Sequence, residues 1–251
     1  LSLDEGLRME MVSEFYIFLK NLLRDFKIGS REWPLVWEEI YSLGVKSIFL
    51  IFLTALATGM VMTLQFGMGL SRFGGVPYVP RLVSVSVLRE MGPVFASLMM
   101  AARMGAGVTA QIGTMMVTQQ FDAYWTLGSS PIRKVLAPKI LAILIIVPIL
   151  CAWANLVSLF GVYLTAVLSL NLDTPEILGK IAEGFTIENF SSGFFKTFFF
   201  ALGIGLSACF FGSKVKGGSD EVGHATTRTV VTSSIGILIG DFILTRIFLW
   251  L

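Results

Sequence analysis

Apolar runs alternate with short charged stretches along the whole chain, and the 25 residues from Ser47 to Ser71 include no charged side chain. A helix needs roughly 20 apolar residues to cross the hydrocarbon core of a bilayer. Backbone polar groups find no water there, so runs this long predict spanning helices rather than strands. Five spans are expected, at about residues 45–70, 82–113, 140–170, 189–212 and 226–251. The third falls in a run of 33 uncharged residues between Lys139 and Asp173, which predicts tilt, a kink at Pro148 or an extension beyond the lipid.

Ahead of the first span the periodicity changes. Leu7, Met11, Phe15, Phe18, Leu19, Leu22 and Phe26 recur at steps of three and four, with charges at Asp4, Glu5, Arg8, Glu10, Lys20 and Arg24 between them. This is the pattern of an amphipathic helix lying in the membrane interface, or alternatively packed on a soluble partner. Ser2 and Glu5 have the spacing of a capping box at its start. Trp33, Trp37 and Tyr41 suit the headgroup level on a second short helix that Pro34 would begin. The chain thus divides into interfacial helices over residues 1–43 and a membrane-spanning domain over 44–251. The expected class is an all-α integral membrane protein.

A hydrophobic share of 55% against 14% charged residues leaves most side chains facing lipid or other helices. The net charge of +2 mixes both signs and gives no case for nucleic acid. With the N-terminus inside, the inner segments hold Arg8, Lys20, Arg24, Lys27, Arg31, Lys46, Arg133, Lys134, Lys139, Lys214, Lys216 and Arg228. The outer ones hold Arg72, Arg81 and Lys180, so the bias of twelve to three places the N-terminus inside and the C-terminus outside. The acidic stretch with Asp173, Glu176, Glu183 and Glu188 is then outside. Cys151 and Cys209 lie in apolar runs and read as small buried residues.

Arg89 and Glu90 stand in a largely apolar stretch near the outer end of the second span, where ionisable groups face a partner or a wet cavity unless they snorkel to the surface. Arg103 lies further along that span. Asp241 and Arg246 in the last span pose the same question, and Asp241 has Arg246, Arg103 and Lys196 as candidate partners. Small residues cluster at Gly105, Ala106, Gly107, Ala110 and Gly113, and at Gly203, Gly205 and Ser207, which predicts close helix packing within one subunit or across a dimer.

The inner connection over residues 118–139 is polar yet carries Phe121, Tyr124, Trp125 and Leu127, followed by Gly128 and Pro131. A short helix along the membrane is expected, with exposed rings that dock on another protein or on the bilayer surface. Asp122 with Ala123, Gly128 and Pro138 is similar to the loop by which ABC permeases engage their ATPases. No Gly-x-x-x-x-Gly-Lys-Ser/Thr run occurs in the sequence, so the chain carries no P-loop ATPase site of that kind. The lone His224 reads as a polar residue of the inner loop, and neither a Ser and His pair nor a multi-His metal site is expected.

Taken together, LREMGPVFASLMMAARMGAGVTAQIGTM from Leu88, HATTRTVVTSSIGILIGDFILT from His224 and GMVMTLQ from Gly59 resemble the MlaE/YrbE family of permeases. The resemblance implies the membrane subunit of a bacterial phospholipid transporter in the inner membrane, serving outer-membrane lipid asymmetry. It implies a homodimer with a cytoplasmic MlaF-like ABC ATPase that uses ATP and Mg, a periplasmic MlaD-like MCE protein and, in some systems, a MlaB-like STAS-domain protein. The chain itself would bind no cofactor and no metal. Lipid would occupy a cavity at the dimer interface, with contacts at positions matching Met62, Gly69, Leu70 and Phe73. Glu90 matches the family's acidic residue of the LRE-x-GP motif and Asp241 its aspartate in the last span. The Asp122 loop, with Tyr124, Trp125, Leu127 and Gly128, would be the coupling helix. From spacing alone, Met62, Phe66, Gly69, Leu70 and Phe73 share a face that suits acyl chains or simply faces the bilayer. An ion- or proton-coupled carrier using Arg89, Glu90 and Asp241, and a non-transporting membrane scaffold, are the alternative readings.

Overall fold

A computed structural model describes residues 2–26, 32–248 and 250, with side chains described from residue 13 onward. Among the described residues every regular element is helical. They are α1 (Ser2–Asp25), α2 (Trp33–Ser71), α3 (Val76–Val117), α4 (Gln120–Thr126), α5 (Ile132–Leu168), α6 (Thr174–Gly184), α7 (Ile187–Ser213) and α8 (Ser219–Phe248). Of these, α2, α3, α5, α7 and α8 are long and apolar enough to cross a membrane.

The expected short helix at Trp33 is not separate. It is the first part of α2, whose 39 residues reach about 58 Å at 1.5 Å per residue, nearly twice the thickness of a hydrocarbon core. Nothing at residues 42–45 breaks the helix, so the boundary placed at residue 43 falls inside continuous structure. His224 likewise sits within α8, not in a loop, with Nε2 3.7 Å from Asp220.

Helix α3 is the centre of the bundle and touches α2, α5, α7 and α8, while α2 packs mainly along α5. The α2–α5 contact is close because small residues recur on α2 every four positions at Ala55, Gly59, Thr63 and Gly67. A Cβ on Gly59 would meet the carbonyl oxygen of Ser158 at 2.0 Å, and one on Gly161 would meet that of Leu56 at 2.6 Å. Two backbones thus lie in direct contact, and Ser158 Oγ donates to the Ala55 carbonyl at 2.8 Å across them. With lipid on the outside, such packing and hydrogen bonding hold helices together where the hydrophobic effect offers little.

The glycines of α3 and α7 divide between two uses. Gly105 and Gly113 face α7, α8 and the turn between them at ordinary to tight distances, whereas nothing lies within 4 Å of a Cβ built on Gly107 or Gly203. Cys151 and Cys209 are both fully buried.

The side chains of Leu7 and Met11 and the capping pair Ser2 and Glu5 lie outside the described residues. Further along α1 the pattern is not one apolar stripe but two. Phe15 and Phe18 stack edge-on against Phe210 of α7, with centroids 5.2 and 5.6 Å away, and Leu22 is buried in the core. Tyr16, Ile17 and Leu23 point outward and are exposed. One face of α1 is therefore packed on the bundle, and a second apolar face remains open.

Candidate functional site

The polar centre of the bundle is built on an irregularity in α3. Val87–Met91 forms a π-turn ahead of Gly92 and Pro93, and Ala101–Gly105 forms a second one around Arg103. Proline has no N–H, so the α-helical donor to the Arg89 carbonyl, which would come from residue 93, is missing. Lys196 of α7 supplies one instead, with Nζ 3.3 Å from that oxygen. Its helix comes near enough because Gly193, one turn earlier, has no side chain: a Cβ there would lie 2.0 Å from the Leu88 carbonyl oxygen.

Lys196 is wholly buried, and its ammonium joins three helices. Nζ lies 2.6 Å from Glu90 Oε2 on α3, 3.0 Å from Asp241 Oδ1 and 2.6 Å from Thr245 Oγ1 on α8. The Thr245 hydroxyl in turn donates to Glu90 at 3.1 Å. Asp241 and Thr245 are one helical turn apart and continue the buried stripe Ala225, Thr229, Ser233 and Ile237 of α8. Higher on that stripe Thr229 Oγ1 meets Thr109 Oγ1 of α3 at 2.8 Å. A charge in a membrane span is costly unless paired, and here one cation serves two carboxylates. The carboxylates keep some access, with side chains 30% exposed at Glu90 and 19% at Asp241.

Sequence reading singled out Glu90 and Asp241 but left their partner open. The structure pairs both with Lys196, not with Arg89 or Arg246, whose guanidinium groups have no ion pair or hydrogen bond among the described residues. Arg103 does not join this cluster and donates instead to Ser47 Oγ on α2 at 2.8 Å. Thr245 was missed as a partner. Its signal was present, since it stands four residues after Asp241, and Lys196 is the lone charge between Glu188 and Lys214.

The expected lipid face of α2 divides. Met62, Phe66 and Leu70 are half-buried against Val79, Val83, Val87 and Val162, while Gly69 borders open space and Phe73 is exposed. A groove of about 390 Å³ runs between α7 and α8, bordered by Phe199, Gly203, Gly236 and Gly240.

At the start of α5, opposite to the end that leads into α6, lies the exposed helix α4. It begins after Gln119, held at φ 56°, and its turn is completed by Gly128 at φ 68°. Of the aromatic residues expected to face outward, Phe121 is instead buried in the core and Tyr124 is half-buried against it. These two anchor the helix, because a seven-residue helix has too little hydrogen bonding to hold itself. Trp125 and Leu127 are 55% and 79% exposed, and Asp122 and Gly128 are exposed beside them.

A second buried lysine lies near this end, where Lys139 of α5 pairs with Glu39 of α2 and donates to Gln111 of α3 at 2.7 Å. At the other end α6 packs on the first turns of α3 through buried Ile177, and Arg81 lies 3.5 Å from Glu183. The hydrogen bond from Lys180, followed by the charges of Lys180 and Arg81, holds the Glu183 carboxyl below its ordinary range.

Comparison with known proteins bears on this arrangement. The family described as Permease MlaE matches residues 36–247. A probable ABC transporter permease protein of Rickettsia bellii is 35% identical, with 95% of this chain and 92% of the relative covered. The intermembrane phospholipid transport system permease protein MlaE of Haemophilus influenzae is 34% identical over 86% of this chain and 84% of its own. A probable ABC transporter permease of Synechocystis is 32% identical, covering 82% and 79%. The match takes in α3, α4 and α7 whole and most of α2 and α8, the helices that form the lysine centre together with the exposed helix α4, and the chain belongs to the MlaE permease family.

Proposed function

We propose that this chain is the permease subunit of an ABC-type system that moves phospholipid between the inner membrane and a periplasmic MCE protein. Two copies enclose the lipid, with ATP hydrolysed by a separate subunit docked on α4. The observation that carries this reading is the lysine centre: a polar site held within spanning helices, whose carboxylates are partly accessible while the cation that neutralises them is not. An amphiphile with a charged headgroup and apolar tails needs such a polar position within an apolar surround. Arg89, next to Glu90 and without an ion pair or hydrogen bond to its guanidinium among the described residues, provides a cation for a lipid phosphate. The name of the Haemophilus relative agrees with phospholipid as cargo.

The orientation follows from the basic residues. With α4 inside, its exposed Trp125 and Leu127 meet a cytoplasmic ATPase, and α6 lies on the periplasmic side with the acidic stretch. Gly69, Leu70 and Phe73, at the same end of α2 as α6, belong to the outer part of the lipid path.

Native mass spectrometry of the purified protein tests the cargo, and reconstitution in vesicles with its ATPase tests the energy source. A dimer carrying phospholipid and a transfer rate that depends on ATP are expected. Transfer driven by a proton gradient without ATP would instead favour a carrier in which Glu90 and Asp241 relay protons.

A further inference from the structure

The segment that leaves α4 is tied to the N-terminal part of the chain by acidic residues that precede the matched family region. Glu32 is only 2% exposed, and its carboxylate lies 3.2 Å from Arg133 Nε and 3.1 Å from Lys134 Nζ. Asp25, at the end of α1, accepts a hydrogen bond from Ser130 Oγ at 3.2 Å. Ser130, Arg133 and Lys134 follow directly on the turn that closes α4.

These contacts have no local purpose. Arg133 and Lys134 occupy the first turn of α5, where the helix dipole disfavours cations. Glu32 stands at the N-cap of α2 yet makes no capping bond there, its carboxylate being turned to α5. A buried carboxylate shared by two partly exposed cations is an arrangement that holds two segments in one register, because Glu32 left alone is a buried charge without a counterion. Near its middle α1 is fixed to the C-terminal end of α7, by Phe15 against Phe210 and by the pair Glu14–Lys214 at 3.0 Å. Helix α7 is the one that carries Lys196.

We propose that Glu32 and Asp25 are positioning residues for the coupling helix. They latch the exit of α4 to the N-terminal part of the chain, so that a displacement of α4 reaches α1 and α7 and is not absorbed in residues 127–131. The proposal rests on the reading of α4 as the ATPase contact.

The test uses the permease reconstituted with its ATPase in vesicles containing a fluorescent phosphatidylethanolamine. Three quantities are measured: cross-linking of the ATPase to residue 125, amide exchange over residues 120–131, and lipid transferred per ATP hydrolysed. For Glu32→Gln the cross-link should persist, exchange should quicken, and lipid per ATP should fall by at least about fivefold, the lower range of coupling between sites. Exchanging the charges, with Glu32→Lys, Arg133→Glu and Lys134→Glu together, should restore the ratio, and Glu183→Gln at the opposite end should leave it unchanged. Unaltered exchange in Glu32→Gln overturns the latch. Faster exchange with an unaltered ratio overturns the positioning role. Should Glu32→Gln not fold, Ser130→Ala removes one hydrogen bond only, and is judged by the same two measurements. Failure of the wild-type cross-link would refute the docking role of α4, while the exchange data would still decide whether the latch exists.

Discussion

The ammonium of Lys196 bonds the main-chain oxygen of Arg89 at 3.3 Å, the oxygen that Pro93 leaves without its helical donor. A single imino acid thus prepares an acceptor in one helix for the only charge in the middle of another. The same ammonium then gathers Glu90, Asp241 and Thr245, so removing it does more than delete one ion pair.

Lys196→Met should destabilise the fold by about 3–5 kcal/mol, because two carboxylates then face each other in a membrane span without a counterion. The triple variant with Glu90→Gln and Asp241→Asn should recover much of that loss. Chemical unfolding in detergent reads both, and a triple variant as unstable as the single one would show that packing, not charge, is at stake.

Glu90→Lys places a second cation beside Lys196 and should abolish lipid transfer while the ATPase still binds through α4. Glu90→Gln retains the shape and a hydrogen-bonding group and should lose less than Glu90→Ala. Transfer assays with copurification of the ATPase check this order, and wild-type transfer by Glu90→Lys would reduce the residue to a structural charge.

Gly193→Leu and Gly59→Leu each thrust a side chain into a backbone carbonyl and should cost at least about 1–3 kcal/mol through helix separation. Gly203→Ala meets nothing within 4 Å and should be neutral within a few tenths. Thermal unfolding distinguishes the two classes.

Trp125→Ala with Leu127→Ala should weaken ATPase binding by about 2 kcal/mol or more while leaving the fold intact, since both side chains are exposed. Phe121→Ala should instead destabilise the permease by about 3–5 kcal/mol, since that ring is in the core. Binding measured against the unfolding midpoint separates the contact residues from the anchor.

Acid should loosen α6. Since the folded-state carboxyl of Glu183 is held low by Lys180 and Arg81, its contribution is complete above the unfolded value of 4.5 and is lost as pH falls through the lower folded one. Amide exchange in α6 should quicken over that window, slightly given the exposure of the group, and Glu183→Gln should flatten the dependence.

The sequence alone determined the five spanning helices and the charges worth attention, because a bilayer tolerates few chain patterns and every exception stands out. Glu90, Asp241 and the lone Lys196 are such exceptions, and the family motifs lie around the first two. Tertiary structure decided what those charges do, since partners 106 and 45 residues from Lys196 leave no periodic trace. It chose Lys196 over Arg89, Arg103 and Arg246, drew Phe121 inward while leaving Trp125 outside, and merged the Trp33 helix into α2. It also turned one apolar stripe of α1 into two faces, because Phe210 of α7 offers a ring to pack on, which no hydrophobic spacing within α1 reveals. The lone charge and the proline at 93 were visible from the start; only the close approach permitted by Gly193 brings them together.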